Sequence, residues 1–138
     1  MATPVTVDSL IGSEFQVELD GQIVAGVFYV SHLVTLQFDA EGKRVLPPFE
    51  LAKMVHRDAH TPFNQWLSDS TKARHSNTRP TRTLTIKAVD DGVVTRTWTV
   101  SGAFIQGVRY SNFDVASFKM VEETYTIGYA DIDDSFNS

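Results

Sequence analysis

The chain has 138 residues, 42% of them hydrophobic and 21% charged, which fits one globular domain spanning residues 1–138. It contains no cysteine, which excludes disulfide frameworks, thiolate metal sites, iron–sulfur clusters and thiol catalysis. Net charge is −5, unevenly spread: residues 1–42 hold six acids and no Lys or Arg, residues 43–109 hold eleven of the twelve basic residues against five acids, and residues 110–138 hold six acids against Lys119. A basic middle between acidic ends either solvates the surface or lets one copy attract the next.

Residues 1–12 lack the basic and apolar blocks of a secretory signal and are expected to form an N-terminal arm. No run approaches the roughly 20 apolar residues of a membrane span, so the expectation is a soluble chain, cytoplasmic where it is made. Residues 15–20 alternate apolar and polar like a half-buried strand, and Asp20-Gly21 is a two-residue hairpin signal. A second strand is expected over 23–30, with Gly26 marking a bulge or a close backbone approach. Val34, Leu36 and Phe38 alternate again and predict a third strand, before a turn over 39–42 and the Pro47-Pro48 interruption. A weakly patterned strand follows near 51–57.

Thr61 as N-cap, Pro62 at the first helical position, and Phe63, Trp66 and Leu67 on one face predict a helix that ends before residue 77. Leu84, Ile86 and Ala88 then alternate with polar residues, Asp91-Gly92 turns the chain, and a returning strand is expected over 93–104, with Gly102 and Gly107 permitting bends. A last strand is expected over 118–129, with residues 131–138 as an acidic, frayed tail. This order predicts a mainly β fold, a β-sandwich or small barrel with a single packed α-helix.

No constellation for catalysis or metal binding emerges. Of His32, His56, His60 and His75, only His56 and His60 share the i, i+4 spacing of helical metal ligands, but Pro62 starts the helix after them; no HExxH pattern, nucleophile elbow or phosphate-binding glycine loop is present. Glu122 and Glu123 are neighbours on a strand and so point to opposite faces. Residues 72–82 are basic but carry no interleaved aromatics, which favours a solvated loop or an acidic neighbour over nucleic acid. No cofactor is expected and no enzymatic activity. A binding barrel is the reading from a different class, with Phe28, Tyr29, Trp98, Phe104, Tyr110 and Tyr125 lining a pocket.

The order of these pieces resembles the inner-tube proteins of contractile phage tails, R-type bacteriocins, extracellular contractile injection systems and type VI secretion. The resemblance is carried by residues 15–21, by Val24 to Phe28 and Val30 to Leu33, by Leu46-Pro47, by residues 54–58 and by Trp66-Leu67. It resumes at residues 82–87, 98–104 and 122–127, so that it spans about 14–130 through several short motifs in order. It implies a ring, six-membered in the family, whose stacking gives a hollow tube enclosed by a sheath and seated on a baseplate, with DNA or an effector protein passing through. It also implies assembly in the cytoplasm and a final place in the particle. The segment between Phe38 and Leu46 is shorter than the family's hairpin, and His32 stands where the family has glycine; a tube-initiating or baseplate adaptor ring is therefore the variant reading. Segment position and charge nominate Asp39, Glu41, Lys43, Arg44, Arg57, Arg74, Arg79, Arg82, Asp131 and Asp133 as assembly residues. The threonines of 95–101 suit a sheet with one wet face, such as a lumen lining.

Overall fold

The computed structural model describes residues 14–136. Its elements are β1 (Phe15–Leu19), β2 (Gln22–Ile23), β3 (Val27–Ser31), β4 (Phe49–Met54), α1 (Pro62–Lys72), β5 (Arg82–Asp90), β6 (Val93–Tyr110), β7 (Glu122–Gly128) and β8 (Asp131–Phe136). Every strand pair is antiparallel, in the order β2-β1-β5-β6-β7-β4-β3, with β8 also paired to β6.

Two hairpin turns behave as their sequences require. Asp20 and Gly21 have φ of 49° and 83°, and Asp91 and Gly92 have φ of 50° and 79°. Positive φ at both central residues matches the right-handed strand twist, and Asp-Gly tolerates it best. The Asp20 carboxylate also accepts the Thr83 amide at 2.8 Å, tying the first hairpin to β5.

The predicted strand over 23–30 is two strands. β2 ends at Ile23, Gly26 turns with φ of 82°, and β3 joins a different part of the sheet by pairing with β4. A Cβ on Gly26 would lie 3.2 Å from His56 Nε2, so the close approach is real.

The 18-residue β6 belongs to two sheets. Its first part lies between β5 and β8, giving a first sheet β2-β1-β5-β6-β8. From Phe104 onward it pairs with β7, giving a second sheet β6-β7-β4-β3. β7 and β8 follow β6 in one register from Ile105↔Ile127 through Ser101↔Asp131 to Arg96↔Phe136, so together they act as one bent strand. The bend falls at Gly102, with φ of 62°, where a Cβ would sit 2.8 Å from Ala130 Cβ.

Four further expectations differ from the structure. Residues 33–38 form no strand; only the bridge Phe38↔Arg44 closes a tight turn. His32, in the left-handed region at φ of 64°, diverts the chain, and the Tyr129 hydroxyl takes the Pro47 carbonyl at 2.7 Å there. Residues 131–136 are not a frayed tail. They form β8, fastened by buried Ile132 and by Asp131 and Asp134, which pair with Arg44 and Arg96. β7 starts at Glu122 rather than 118, and β6 runs past 104 to Tyr110, leaving residues 111–121 as a loop. The N-terminal arm over 1–12 lies outside the described residues.

The core fills the space between the sheets and under α1. Phe63 and Trp66 are fully buried, Phe63 meets Tyr125 with ring centroids 5.0 Å apart, and Trp66 Nε1 donates to Pro80 O at 3.1 Å. Each such side chain contributes about 1.5–3 kcal/mol by leaving water. Thr61 sits at the predicted N-cap, but its hydroxyl donates to Asp58 O instead of capping. Arg79 covers the other end by donating to Ala73 O.

Within this core lies an ion pair. Lys53 on β4 faces Glu123 on β7 with Nζ and Oε1 2.5 Å apart, and both are closed from water. Lys53 also donates to Met54 O at 2.9 Å, and the Tyr125 hydroxyl donates to Glu123 at 3.1 Å. Burial first, and the Glu123 charge second, push the Tyr125 phenol far above its ordinary pKa, so it stays a donor.

Lys53→Met alone strands a buried carboxylate and should cost about 3–5 kcal/mol in urea unfolding, whereas Lys53→Met with Glu123→Leu should recover most of it. Equal losses in both variants would show that the pair's charge is not what matters. At Gly128 a Cβ would meet the Phe104 ring at 2.4 Å, so Gly128→Ala should lower stability by about 1–3 kcal/mol in the same assay.

Candidate functional site

The first sheet sorts the uneven charge of the chain. β1 from the acidic start and β8 from the acidic end flank β5 and β6 from the basic middle. Lys87 meets Glu18 at 2.6 Å, Arg44 meets Asp131 at 2.6 Å, Arg82 reaches Asp69 at 2.7 Å and Asp20 at 3.6 Å, and Arg96 binds Asp134. Arg96 also lies over the Phe136 and Trp98 rings.

This placement divides the ten nominated assembly residues. Arg44 and Asp131 hold each other; the Arg44 hydrogen bond keeps the Asp131 carboxyl below its usual range. Arg74 donates to Thr71 O and Arg79 to Ala73 O, so both serve the end of α1. Arg82 fastens β5 to α1 and to the first hairpin. Asp39 folds its own turn by accepting the Glu41 and Lys43 amides, each at 2.9 Å. Glu41, Lys43, Arg57 and Asp133 are exposed, and no ion pair involves them among the described residues.

The other candidates disperse. Among the described residues no three His, Asp or Glu side chains converge as metal ligands. The Lys53–Glu123–Tyr125 cluster is sealed, and of the six aromatics offered as a pocket lining, Tyr125 is core, Phe104 lies on Gly128, and Phe28 and Tyr110 are on the surface.

The second sheet is different, because both of its edges are open among the described residues. β3 pairs only with β4, and Phe104–Tyr110 of β6 pairs only with β7. β3 carries no charge, and the β6 segment carries none before Arg109. Both edges of the first sheet are blunted: β2 has two residues, and β8 carries three aspartates. The wet face of the second sheet puts Tyr29, Thr124 and Arg109 in one cross-strand row and Glu50 and Thr126 in the next. Arg109 donates to Glu50 at 2.8 Å and holds that carboxyl below its usual pKa.

The poles of this sheet are apolar too. At one pole the 111–121 loop exposes Phe113, Val115, Phe118 and Met120, between 73% and 108%. At the other, residues 32–48 expose Leu36 and Phe38, at 70% and 55%. Sequence reading missed the loop because it assigned 118–121 to a strand, although Phe113, Val115, Phe118 and Met120 in so short a stretch were visible.

No family profile and no curated protein matches the sequence. Solved structures do match. A chain in the cryo-EM structure of the anti-feeding prophage cap, the tube-terminating cap, superposes with a TM-score of 0.77 at 18% identity, covering 99% of this chain and 97% of the other. A chain of the PVC extracellular contractile injection system sheath–tube complex in the extended state gives 0.69 at 17% identity, over 94% and 93%. Hcp1 from Flavobacterium johnsoniae gives 0.59 at 15% identity, over 90% and 96%. Two sheets sharing β6 and one buried-face helix are therefore the fold found in the tube-bearing assemblies of contractile injection systems.

Proposed function

We propose that the chain is a structural subunit of the inner tube of a contractile injection system or phage tail, whose copies join into a closed ring and stack into a hollow conduit. The observation that carries this reading is the pair of open, uncharged edges on the second sheet, β3 at one side and residues 104–110 of β6 at the other. Unpaired strand edges template pairing with another chain. Two different edges on one subunit give a head-to-tail contact, which closes into a ring when the rotation permits. The first sheet and α1 lie on the core side of this sheet, so their bulk falls outside such a ring and the wet face lines the bore. The bore wall is then rich in hydroxyls and internally charge-balanced through Glu50 and Arg109.

The likeness in fold to chains of sheath–tube, baseplate and cap assemblies supports sheath and baseplate proteins as partners. DNA or an effector protein passing through the bore, and assembly in the cytoplasm before incorporation into the particle, belong to the same reading. Such a subunit works through shape and pairing and needs no catalytic group. Because most nominated charges are committed within the chain, edge pairing and apolar contact drive closure. Glu41, Lys43, Arg57 and Asp133 are left to tune contacts between copies. A terminal ring is the second reading, favoured by the superposition on a chain of the cap structure and by the short turn over 39–42.

Native mass across concentration tests the proposal: a ring-sized multiple of the 15.4 kDa chain is expected, with long stacks for a tube subunit and single rings for a terminal one. Phe28→Lys places a charge on the β3 edge at a 41% exposed position. It should leave unfolding within about 0.5 kcal/mol of the parent while abolishing rings. A parent chain that stays monomeric at every concentration would overturn the proposal.

A further inference from the structure

We infer that the 111–121 loop is the stacking element, docking on the Leu36–Phe38 segment of a second copy of this chain in the adjoining ring. The inference rests on the ring reading above.

The loop is a formed structure. Ser111 and Glu122 clasp its base through Ser111 N to Glu122 O and Glu122 N to Ser111 Oγ, each 2.9 Å. Asp114 turns it by accepting the Ala116 amide at 2.9 Å on its carboxylate and the Ser117 amide at 3.0 Å on its carbonyl. These four bonds fix the base and the turn of the loop while Phe113, Val115 and Phe118 stand in solvent at 81%, 108% and 103% exposure. Soluble monomers rarely leave such a cluster uncovered.

Register settles where the loop lies. Tyr110↔Glu123 and Met54↔Glu122 place its base at one end of the second-sheet strands. Ser31↔Glu50 and Phe49↔Ile127 place the start and finish of the 32–48 segment at the other end. If the lateral edges close the ring, strand ends are what the second sheet presents to the rings above and below. The chain thus carries one apolar projection on one rim and an apolar patch on the opposite rim. That is the arrangement a head-to-tail stack of identical copies requires.

Charge agrees with a second copy as occupant. The loop holds Asp114 and Lys119, and the turn beside Phe38 holds Asp39, Glu41 and Lys43. None of the five forms an ion pair among the described residues, and each rim offers both signs to the other. Phe38 and Arg44 pin that turn into a fixed shape, so the acceptor is preorganised.

The chain has no cysteine, so introduced thiols report without background. Leu36 and Val115 occupy opposite poles of one subunit, which prevents a disulfide within a copy. The Leu36→Cys/Val115→Cys double variant of the full chain should give a covalent ladder on oxidation of assembled protein, and either single variant no more than dimers. Independently, Phe113→Ser/Phe118→Ser should leave ring mass unchanged and raise the concentration needed for stacking by about a hundredfold, read by electron microscopy and sedimentation. Stacking unchanged in the serine variant, or no ladder from stacked double-cysteine rings, overturns the inference and leaves the ring reading intact. Parent rings that never stack overturn it as well and assign the loop to a different protein. Absence of rings in the parent is the separate failure of the ring reading.

Discussion

The fold depends on the bend in β6. An 18-residue strand cannot stay straight in a small domain without leaving one end in solvent, and here it turns from one sheet into the other at residues 102–104. The turn is steric. Gly102 in the left-handed region lets Ala130 approach, and Ala130 N donates to Ser101 O at 3.0 Å, so the β7–β8 partner bends at the same place. Gly128, fully covered by the Phe104 ring, completes the corner. Because β6 and its partner keep one register through the bend, the two sheets are fixed in mutual orientation by a covalent chain and not by packing alone. α1 then closes the wedge between them with Phe63 and Trp66.

Charge acts at the next level. The segmental pattern of acidic, basic and acidic residues reads in sequence as an attraction between copies or as simple solvation, and the first sheet resolves it in a third way. Its order interleaves the segments, so Glu18, Asp131 and Asp134 find basic partners within the chain. Ion pairs at this exposure contribute little to stability. Their use is selective: β8 is a strand with one buried aliphatic residue, and Arg44 and Arg96 select the register that buries Ile132.

What sequence could show follows from which interactions are local. The Asp-Gly turns, the alternation in β5 and the Pro62–Phe63–Trp66 helix were all legible, because backbone preference and burial pointed the same way. β8 was not, since an acidic stretch becomes a strand here through remote partners: the β6 backbone, the core that buries Ile132, and Arg96 and Arg44. The false strand over 34–38 has the opposite cause: the alternation is there, but His32 in the left-handed region turns the segment away from β3, and Phe38 bridges Arg44 in its own turn instead. Of the candidate site, the apolar residues of 111–121 were visible in the sequence but not their exposure, which depends on β6 and β7 stopping together at Tyr110 and Glu122. The buried Lys53–Glu123 pair left no signal, because its partners are 70 residues apart in sequence and each looks like an ordinary surface charge.

That pair bears on how the second sheet presents itself. A buried ion pair is seldom a net gain in stability over apolar residues of the same size, but it penalises wrong arrangements heavily. Because β4 carries Lys53 opposite Glu123 on β7, a one-residue slip would send one charge to the wet face and leave the other buried without a partner. The same register sets the level at which Met54 and Glu122 end, and therefore where the 111–121 loop emerges. It also keeps Glu50 on the face where Arg109 reaches it. In the proposed ring, where a subunit meets identical neighbours along two sheet edges and two rims, an error in strand register in one copy would repeat at every interface. The cost of burying Lys53 and Glu123 is thus placed where it fixes both edges and both poles of the second sheet at once.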